Sequence, residues 1–148
     1  IGNQAEKYRW LGNIRYTIFS IIEVIKYKSK YAEIQIDSNK ISDDYKFIVI
    51  CNTIHAGNKM KIAPYAKIDD GLLDIITVTG KASRLKLLQL LPKVYSGKHV
   101  DNPIINYYQS SIVKLNTSKA NQLNIDGEKL GETPIEISIL SKAIKIYS

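Results

Sequence analysis

Met60-Lys61-Ile62-Ala63-Pro64-Tyr65-Ala66-Lys67-Ile68-Asp69-Asp70-Gly71-Leu72-Leu73-Asp74 sets three carboxylates around one glycine directly before an apolar run. Proline, a double aspartate and glycine break regular structure. The segment therefore reads as a turn whose free carbonyls and carboxylates can converge on a hard cation or a phosphate. Taken alone, the commoner meaning of such a pattern is a surface turn that stops one strand and starts another. A second stretch, Asp126-Gly127-Glu128, lies between Gln122-Leu123-Asn124-Ile125 and Lys129-Leu130-Gly131-Glu132-Thr133-Pro134. Asp-Gly between two strand-like runs is a hairpin signal, and a structural turn is its default meaning.

Outward from these turns the chain reads mainly as β-structure. Tyr31 to Asp37 alternates, with Ile34 and Ile36 on one face and Glu33 and Gln35 on the other. Tyr45 to Cys51 is nearly continuously apolar, which predicts a strand buried on both sides. Asp37-Ser38-Asn39-Lys40 is the turn between them. Further strands are expected over Leu73–Val78, Ile104–Tyr108, Ser111–Asn116, Gln122–Ile125, Ile135–Leu140 and Ala143–Tyr147. Two amphipathic helices are expected. Leu11, Ile14, Ile18, Ile21, Ile22 and Ile25 recur at helical spacing over Lys7 to Tyr27, and Leu87, Leu88, Leu91, Val94 and Tyr95 do so over Ser83 to Ser96, with Gly97 as the stop. Pro92 inside the second pattern deletes a backbone donor and predicts a kink or two short pieces. The fold class is mainly β (α+β), an antiparallel β-sandwich carrying two helices in a single domain over residues 1–148.

The 148 residues suffice for a real core, with roughly two thirds of the unfolded surface hidden at this size. Hydrophobic residues at 45% and charged residues at 24% argue against disorder. No apolar run reaches the ~20 residues of a membrane span, and the start lacks the zones of a secretory signal. Cys51, the one cysteine, reads as a small core hydrophobe in a reducing compartment. A soluble, cytoplasmic protein is expected. The net charge of +7 points to an anionic partner, for which nucleic acid and an acidic membrane surface both qualify. Lysines and arginine gather at Lys26, Lys28 and Lys30, and again at Lys81, Arg84, Lys86, Lys93 and Lys98, although a merely solvated helix face has the same pattern.

Pro64-x-Ala66-x-x-Asp69-Asp70-Gly71-Leu72-Leu73-Asp74, followed by Asp126-Gly127-Glu128 and Thr133-Pro134, resembles the C-terminal half of the diacylglycerol kinase, sphingosine kinase and ceramide kinase superfamily. Ile1-Gly2-Asn3-Gln4-Ala5, Leu11-Gly12-Asn13-Ile14-Arg15-Tyr16 and Cys51-Asn52-Thr53 with Gly57 extend the resemblance over nearly the whole chain. It implies an ATP-dependent lipid kinase of the β-sandwich type that phosphorylates a lipid hydroxyl, on diacylglycerol, a sphingoid base or a related lipid. In that family the glutamate at the position of Glu128 is the proton acceptor. Its plain structural meaning is an exposed turn glutamate pairing with Lys129. The resemblance places Mg2+ at Lys67, Asp70 and Leu72. Only Asp70 would use its side chain, because a lysine and a leucine can offer a cation nothing but backbone carbonyls. Asn52, Gly57, Asp126 and Gly127 are implied as cofactor contacts on the nucleotide side, ATP being the phosphate donor. Asp69 and Asp74 are candidates for orienting water or nearby backbone, Asp74 reads equally as a strand-start carboxylate with no chemical duty, and His55 and His99 read as incidental.

The loop His55-Ala56-Gly57-Asn58-Lys59-Met60 keeps only one glycine of the run found in many members, and resembles the eukaryotic-type sphingosine and ceramide kinase branch more than bacterial diacylglycerol kinases. The Gly-Gly-Asp-Gly-Thr loop with which the N-terminal half of such kinases cradles ATP has no counterpart here. The chain is therefore expected to be the C-terminal part of a kinase about twice as long and to be inactive alone, since holding the γ-phosphate is most of the catalysis. The expected partners are the lipid substrate, an anionic membrane surface at which the protein is peripheral, and the missing N-terminal kinase domain. The oligomeric state is open, a homo-oligomer included. A non-catalytic basic membrane-docking domain is the alternative. Nucleic acid is disfavoured because the strands lack an interleaved aromatic and basic face.

Overall fold

A computed structural model describes residues 27–56 and 59–143. The helix expected over Lys7 to Tyr27 lies outside these residues but for its last position, and the strand expected over Ala143–Tyr147 but for its first; Gly57 lies outside as well. The described elements are β1 (Lys30–Ile36), β2 (Asn39–Cys51), β3 (His55–Ala56), β4 (Met60–Lys61), β5 (Leu73–Thr79), α1 (Arg84–Ser96), a 3-10 helix (Lys98–Asp101), β6 (Ile105–Ser110), β7 (Ile112–Thr117), β8 (Gln122–Ile125), β9 (Glu128–Glu132) and β10 (Ile135–Ser138). Six strands form one antiparallel ladder in the order β10-β7-β1-β2-β5-β6, while β3-β4 and β8-β9 are separate hairpins.

Ser111 alone joins β6, at one edge of the ladder, to β7, the second strand from the other edge. In a flat sheet they would stand four spacings of about 4.8 Å apart. One intervening residue spans only two Cα steps of about 3.8 Å. The ladder must fold over, and β2 is its corner: Asn39–Tyr45 pairs with β1, Tyr45–Cys51 pairs with β5, and the register shifts between Tyr45 and Phe47. Such a bulge bends a strand and raises its twist. At the closing corner, Ser110 Oγ lies 2.6 Å from both Asp37 Oδ1 and the Ile112 carbonyl, to which its one proton is donated in turn, and it accepts the Ile112 N–H at 3.1 Å.

Between the halves lies a core of Ala32, Ile34, Ile36, Tyr45, Leu73, Ile75, Val113 and Leu115. The opposite face of β5 and β6 is covered by α1 and the 62–66 loop, through Ile76, Val78, Ile105, Leu87, Leu90, Ala63, Ala66 and Ala82. The strand buried on both sides is therefore β5, whose residues Leu73 to Val78 are all buried. The expectation had put this on Tyr45–Cys51, where all but Tyr45 are half-buried. The difference is position: β5 lies in the interior of the ladder beneath α1, whereas α1 only partly covers the outward side chains of Phe47 and Val49.

α1 begins where Ser83 Oγ accepts the Lys86 N–H at 3.3 Å, and it ends at Gly97, whose φ of 78° closes the last turn with an N–H to the Val94 carbonyl. Pro92 does not divide it. One lost donor is outweighed by the packing of Leu87 and Leu90. In the following 3-10 helix His99 is buried, its Nε2 3.1 Å from the Ile62 carbonyl, which fixes that nitrogen as the donor. Nδ1 has no partner among the described residues.

Burial lowers the His99 pKa from its ordinary 6.5, the hydrogen bond to Ile62 offsetting part of the shift. The unfolded chain then binds a proton that the folded chain refuses, so His99 removes stability as pH falls below 6.5 and costs nothing above it. Melting temperature measured from pH 7.5 downward should fall less steeply in His99→Gln than in the wild type. Parallel curves would exclude His99 as a source of acid lability.

Candidate functional site

The Pro64-to-Asp74 segment is a turn held from beneath by its alanines. Ala63 and Ala66 are buried, the Ala66 N–H donates to the Ala63 carbonyl at 3.1 Å, and the Ala63 N–H reaches the Ile54 carbonyl at 3.3 Å. Larger side chains there would enter the core under α1. Lys67 and Asp70 are exposed and Leu72 is half-buried. Asp70 Oδ1 accepts the Leu72 N–H at 2.9 Å, and Gly71 takes a φ of 74° that favours glycine. The second Asp70 oxygen makes no hydrogen bond among the described residues and is exposed, so one carboxylate oxygen and the turn's carbonyls suit a hard, oxygen-seeking cation. Among the described residues no three His, Cys, Asp or Glu side chains gather for a metal. A site here would rest on Asp70 and backbone, as the residue types imply.

Four residues further on, Asp74 is fully buried. Strand register puts it beside Cys51 of β2 and Gln109 of β6. Its Oδ1 accepts the Tyr107 hydroxyl at 2.6 Å and Gln109 Nε2 at 2.9 Å, while Oδ2 is buried without a partner among the described residues. Burial first, and the hydrogen bond to Asp74 second, push the Tyr107 hydroxyl far above its ordinary pKa of 10.0 and keep it a donor. The Tyr65 ring meets the Tyr107 ring edge-on at 5.2 Å. Burial, then Asp74, then Asp126 push the Cys51 thiol up to about 11, which makes it inert at neutral pH.

Asp126, whose charge is felt at Cys51, stands at the tip of the β8-β9 hairpin. Asp126 and Gly127 form a two-residue turn with φ of 50° and 94°, the primed geometry that suits the twist of a hairpin, and the Gly127 N–H donates to Asn124 Oδ1 at 3.0 Å. A Cβ on Gly127 would meet nothing, so this glycine serves conformation alone. Glu128 opens β9 opposite Ile125, exposed, with no ion pair to Lys129 among the described residues. The pairing considered for it from sequence is not made. The base of the hairpin is tied by polar bonds. The Thr133 N–H donates to the Asn121 carbonyl and the Asn121 N–H to Thr133 Oγ1, both at 3.0 Å, and the Thr117 and Thr133 hydroxyls are in contact.

Asp126 at the hairpin tip is near enough to Cys51 to act on its thiol, and Asp74, which follows the Lys67–Leu72 turn, pairs with Cys51 in the ladder. Gly57 lies outside the described residues. Sequence reasoning left Asp74 undecided and missed Tyr107 and Gln109. A period-two reading of β6 against β5 would have set Gln109 and Tyr107 on the face of Asp74.

Residues 1–148 match the family model described as the YegS C-terminal NAD kinase beta sandwich-like domain. The chain belongs to this family. A Mycobacterium tuberculosis H37Rv protein named diacylglycerol kinase is 29% identical over 148 residues, 99% of this chain and 47% of the relative. The Bacillus subtilis 168 diacylglycerol kinase is 26% identical over 136 residues, 92% of this chain and 45% of its own. A Shewanella frigidimarina protein named probable lipid kinase YegS-like is 27% identical, covering 92% and 43%. This YegS C-terminal domain thus spans less than half the length of these curated relatives. A solved structure described as a diacylglycerol kinase from Bacillus anthracis str. Sterne superposes with a TM-score of 0.65 at 20% identity, covering 82% of this chain and 43% of the other, which shows the shared fold. No described helix is long and apolar enough to cross a membrane.

Replacing Tyr107 with Phe removes one of two donors to a buried carboxylate. Tyr107→Phe should lower the unfolding free energy by about 1.5–3 kcal/mol in a urea titration. A loss within the error of the wild type would mean that Asp74 does not depend on the hydroxyl.

Proposed function

We propose that this chain is the C-terminal part of an ATP-dependent lipid kinase, in which Glu128 is the general base and the 67–72 turn holds Mg2+. The observation that carries the reading is Glu128 itself: an exposed carboxylate that opens β9 directly after the Asp126-Gly127 turn, on a hairpin tip whose Asp126 acts on the Cys51 thiol. In this reading the Glu128 carboxylate takes the proton of the lipid hydroxyl as its oxygen attacks the γ-phosphorus, and ADP leaves with the electron pair of the broken phosphoanhydride bond. Asp126 and Gly127 set the angle at which Glu128 leaves the sheet. When bound, Mg2+ would neutralise local negative charge near the phosphates, with Asp70 and the Lys67 and Leu72 carbonyls as its protein ligands. Asn52 and Gly57 would lie toward the nucleotide, whose main cradle would come from a further domain of a longer protein.

An apolar chamber of about 190 Å³ supports a lipid as acceptor. It lies beneath α1, between Leu87, Leu90, Leu91 and Val94 above and Phe47 and Ile76 below. From the sequence an apolar pocket was expected between the sheets or beneath the helix of Lys7 to Tyr27, opening toward Glu128, whereas this chamber lies under the second of the two expected helices and Glu128 is not among its lining residues. Its walls would suit an alkyl chain, and diacylglycerol, the substrate class in the names of the relatives, would supply both chain and hydroxyl.

A phosphotransfer assay on the intact gene product, with ATP, Mg2+ and a panel of diacylglycerol, sphingosine and ceramide, tests the reading. One lipid should be phosphorylated, and Glu128→Gln should lower kcat by at least about a hundredfold while the protein stays folded. Full activity of Glu128→Gln would remove Glu128 as the base, and no transfer to any lipid would overturn the kinase assignment for these acceptors.

A further inference from the structure

α1 has two apolar stripes. Leu87, Leu90, Leu91 and Val94 face the sheet and roof the chamber. Leu85, Leu88, Pro92 and Tyr95 recur at three- and four-residue steps along a second side, where Leu85 is 66% and Tyr95 46% exposed, Pro92 is exposed and Leu88 is half-buried. A surface helix ordinarily carries polar residues there. Lys86 and Lys93, two turns apart, flank the outer stripe, and Lys81, Arg84 and Lys98 extend the cationic band. Between Asp74 and Asp101 the chain has no aspartate or glutamate. None of these cations forms an ion pair among the described residues. Lys61, packed against Gly97, adds another at the C-terminal end. Asp101 ends the 3-10 helix in which Lys98 stands, and Asp44 lies beside Gly80, whose N–H its carbonyl accepts.

We propose that the outer face of α1 is the docking surface for an anionic lipid bilayer. Leu85, Leu88 and Tyr95 lie at the acyl boundary, and Lys86 and Lys93, supported by Lys81, Arg84 and Lys98, lie against the headgroups. An exposed apolar stripe bordered by cations is the composition of a helix lying in a membrane interface. A stripe covered by another domain or by a second copy of the chain has no need of a band of one sign. The proposal rests on the lipid-kinase reading for its purpose, but vesicle binding is measured without any transfer of phosphate.

Sedimentation of the full-length gene product with vesicles of phosphatidylglycerol and phosphatidylcholine, against phosphatidylcholine alone, is the test. Binding should require the anionic lipid and weaken with salt. Lys86→Gln with Lys93→Gln should reduce partitioning about thirtyfold, at roughly 1 kcal/mol for each lysine near the surface. Leu85→Ser with Tyr95→Ser should weaken binding while leaving the melting temperature unchanged. Lys40→Gln with Lys114→Gln makes the same change in net charge, at cations paired with Glu33 and Glu136, and should bind as the wild type does. No pelleting with anionic vesicles, equal binding by the α1 variants, or equal loss in the Lys40 and Lys114 pair would overturn the proposal. So would a change of oligomeric state in the Leu85 and Tyr95 variant with vesicle binding intact. Intact binding beside absent lipid phosphorylation would support docking and count against the kinase reading alone.

Discussion

The one-residue passage from Ser110 through Ser111 to Ile112 dictates the shape of this domain. It forces the two ends of a six-strand ladder together, and the bulge between Tyr45 and Phe47 is where β2 absorbs the bend. Once the ladder is folded, the alternate residues of β1, β2, β5 and β7 share an interior that contains Ile34, Ile75 and Val113. The far face of β5 and β6 is then left to be covered by α1. β5 pays for its central place by having no solvent side, which is why Asp74, the one carboxylate in that strand, is held in a dry environment.

A buried carboxylate without donors would cost several kcal/mol. Tyr107 and Gln109 satisfy one oxygen, and both come from β6, so the site end of the sheet is locked to the strand that closes the fold. Above this rigid floor the exposed groups are carried by turns. Asp70 and Leu72 sit in a glycine-dependent turn, and Glu128 sits on a hairpin whose strands are almost wholly exposed. The hairpin is oriented less by apolar burial than by Thr133, Asn121 and Thr117 at its base. Polar bonds have angles as well as distances, so they fix direction where a small apolar contact would let the hairpin swing.

Local signals carried most of this architecture. The Asp-Gly turn, the alternation of Tyr31 to Asp37 and the Ser83 and Gly97 limits of α1 were readable because each depends on neighbours in sequence. The corner strand was not. Residues 39 to 44 of β2, with two aspartates and a lysine, have no strand-like run of their own, and they become a strand because β1 lies beside them. β9, in which Leu130 is the one large apolar side chain, was hidden for the same reason. At the site, the turn of Asp70 and the tip at Glu128 announced themselves through glycine and aspartate. The partnership of Asp74 with Tyr107 and Gln109 joins positions over thirty residues apart, and only the register of β5 against β6 reveals it.

The two stripes of α1 tie these parts together. A helix apolar on one side needs only a sheet to cover it, and the sheet beneath α1 leaves a chamber rather than a closed seam. An apolar outer stripe is unfavourable in water unless a second apolar phase meets it. If that phase is the bilayer, α1 is the only layer among the described residues between membrane and chamber, and its diameter of about 10 Å is the distance an alkyl chain has to cross. Cations that form no ion pair among the described residues would hold the helix flat on the surface during that passage. The absence of aspartate and glutamate from residues 75–100 and the roof of the chamber then answer the same physical requirement.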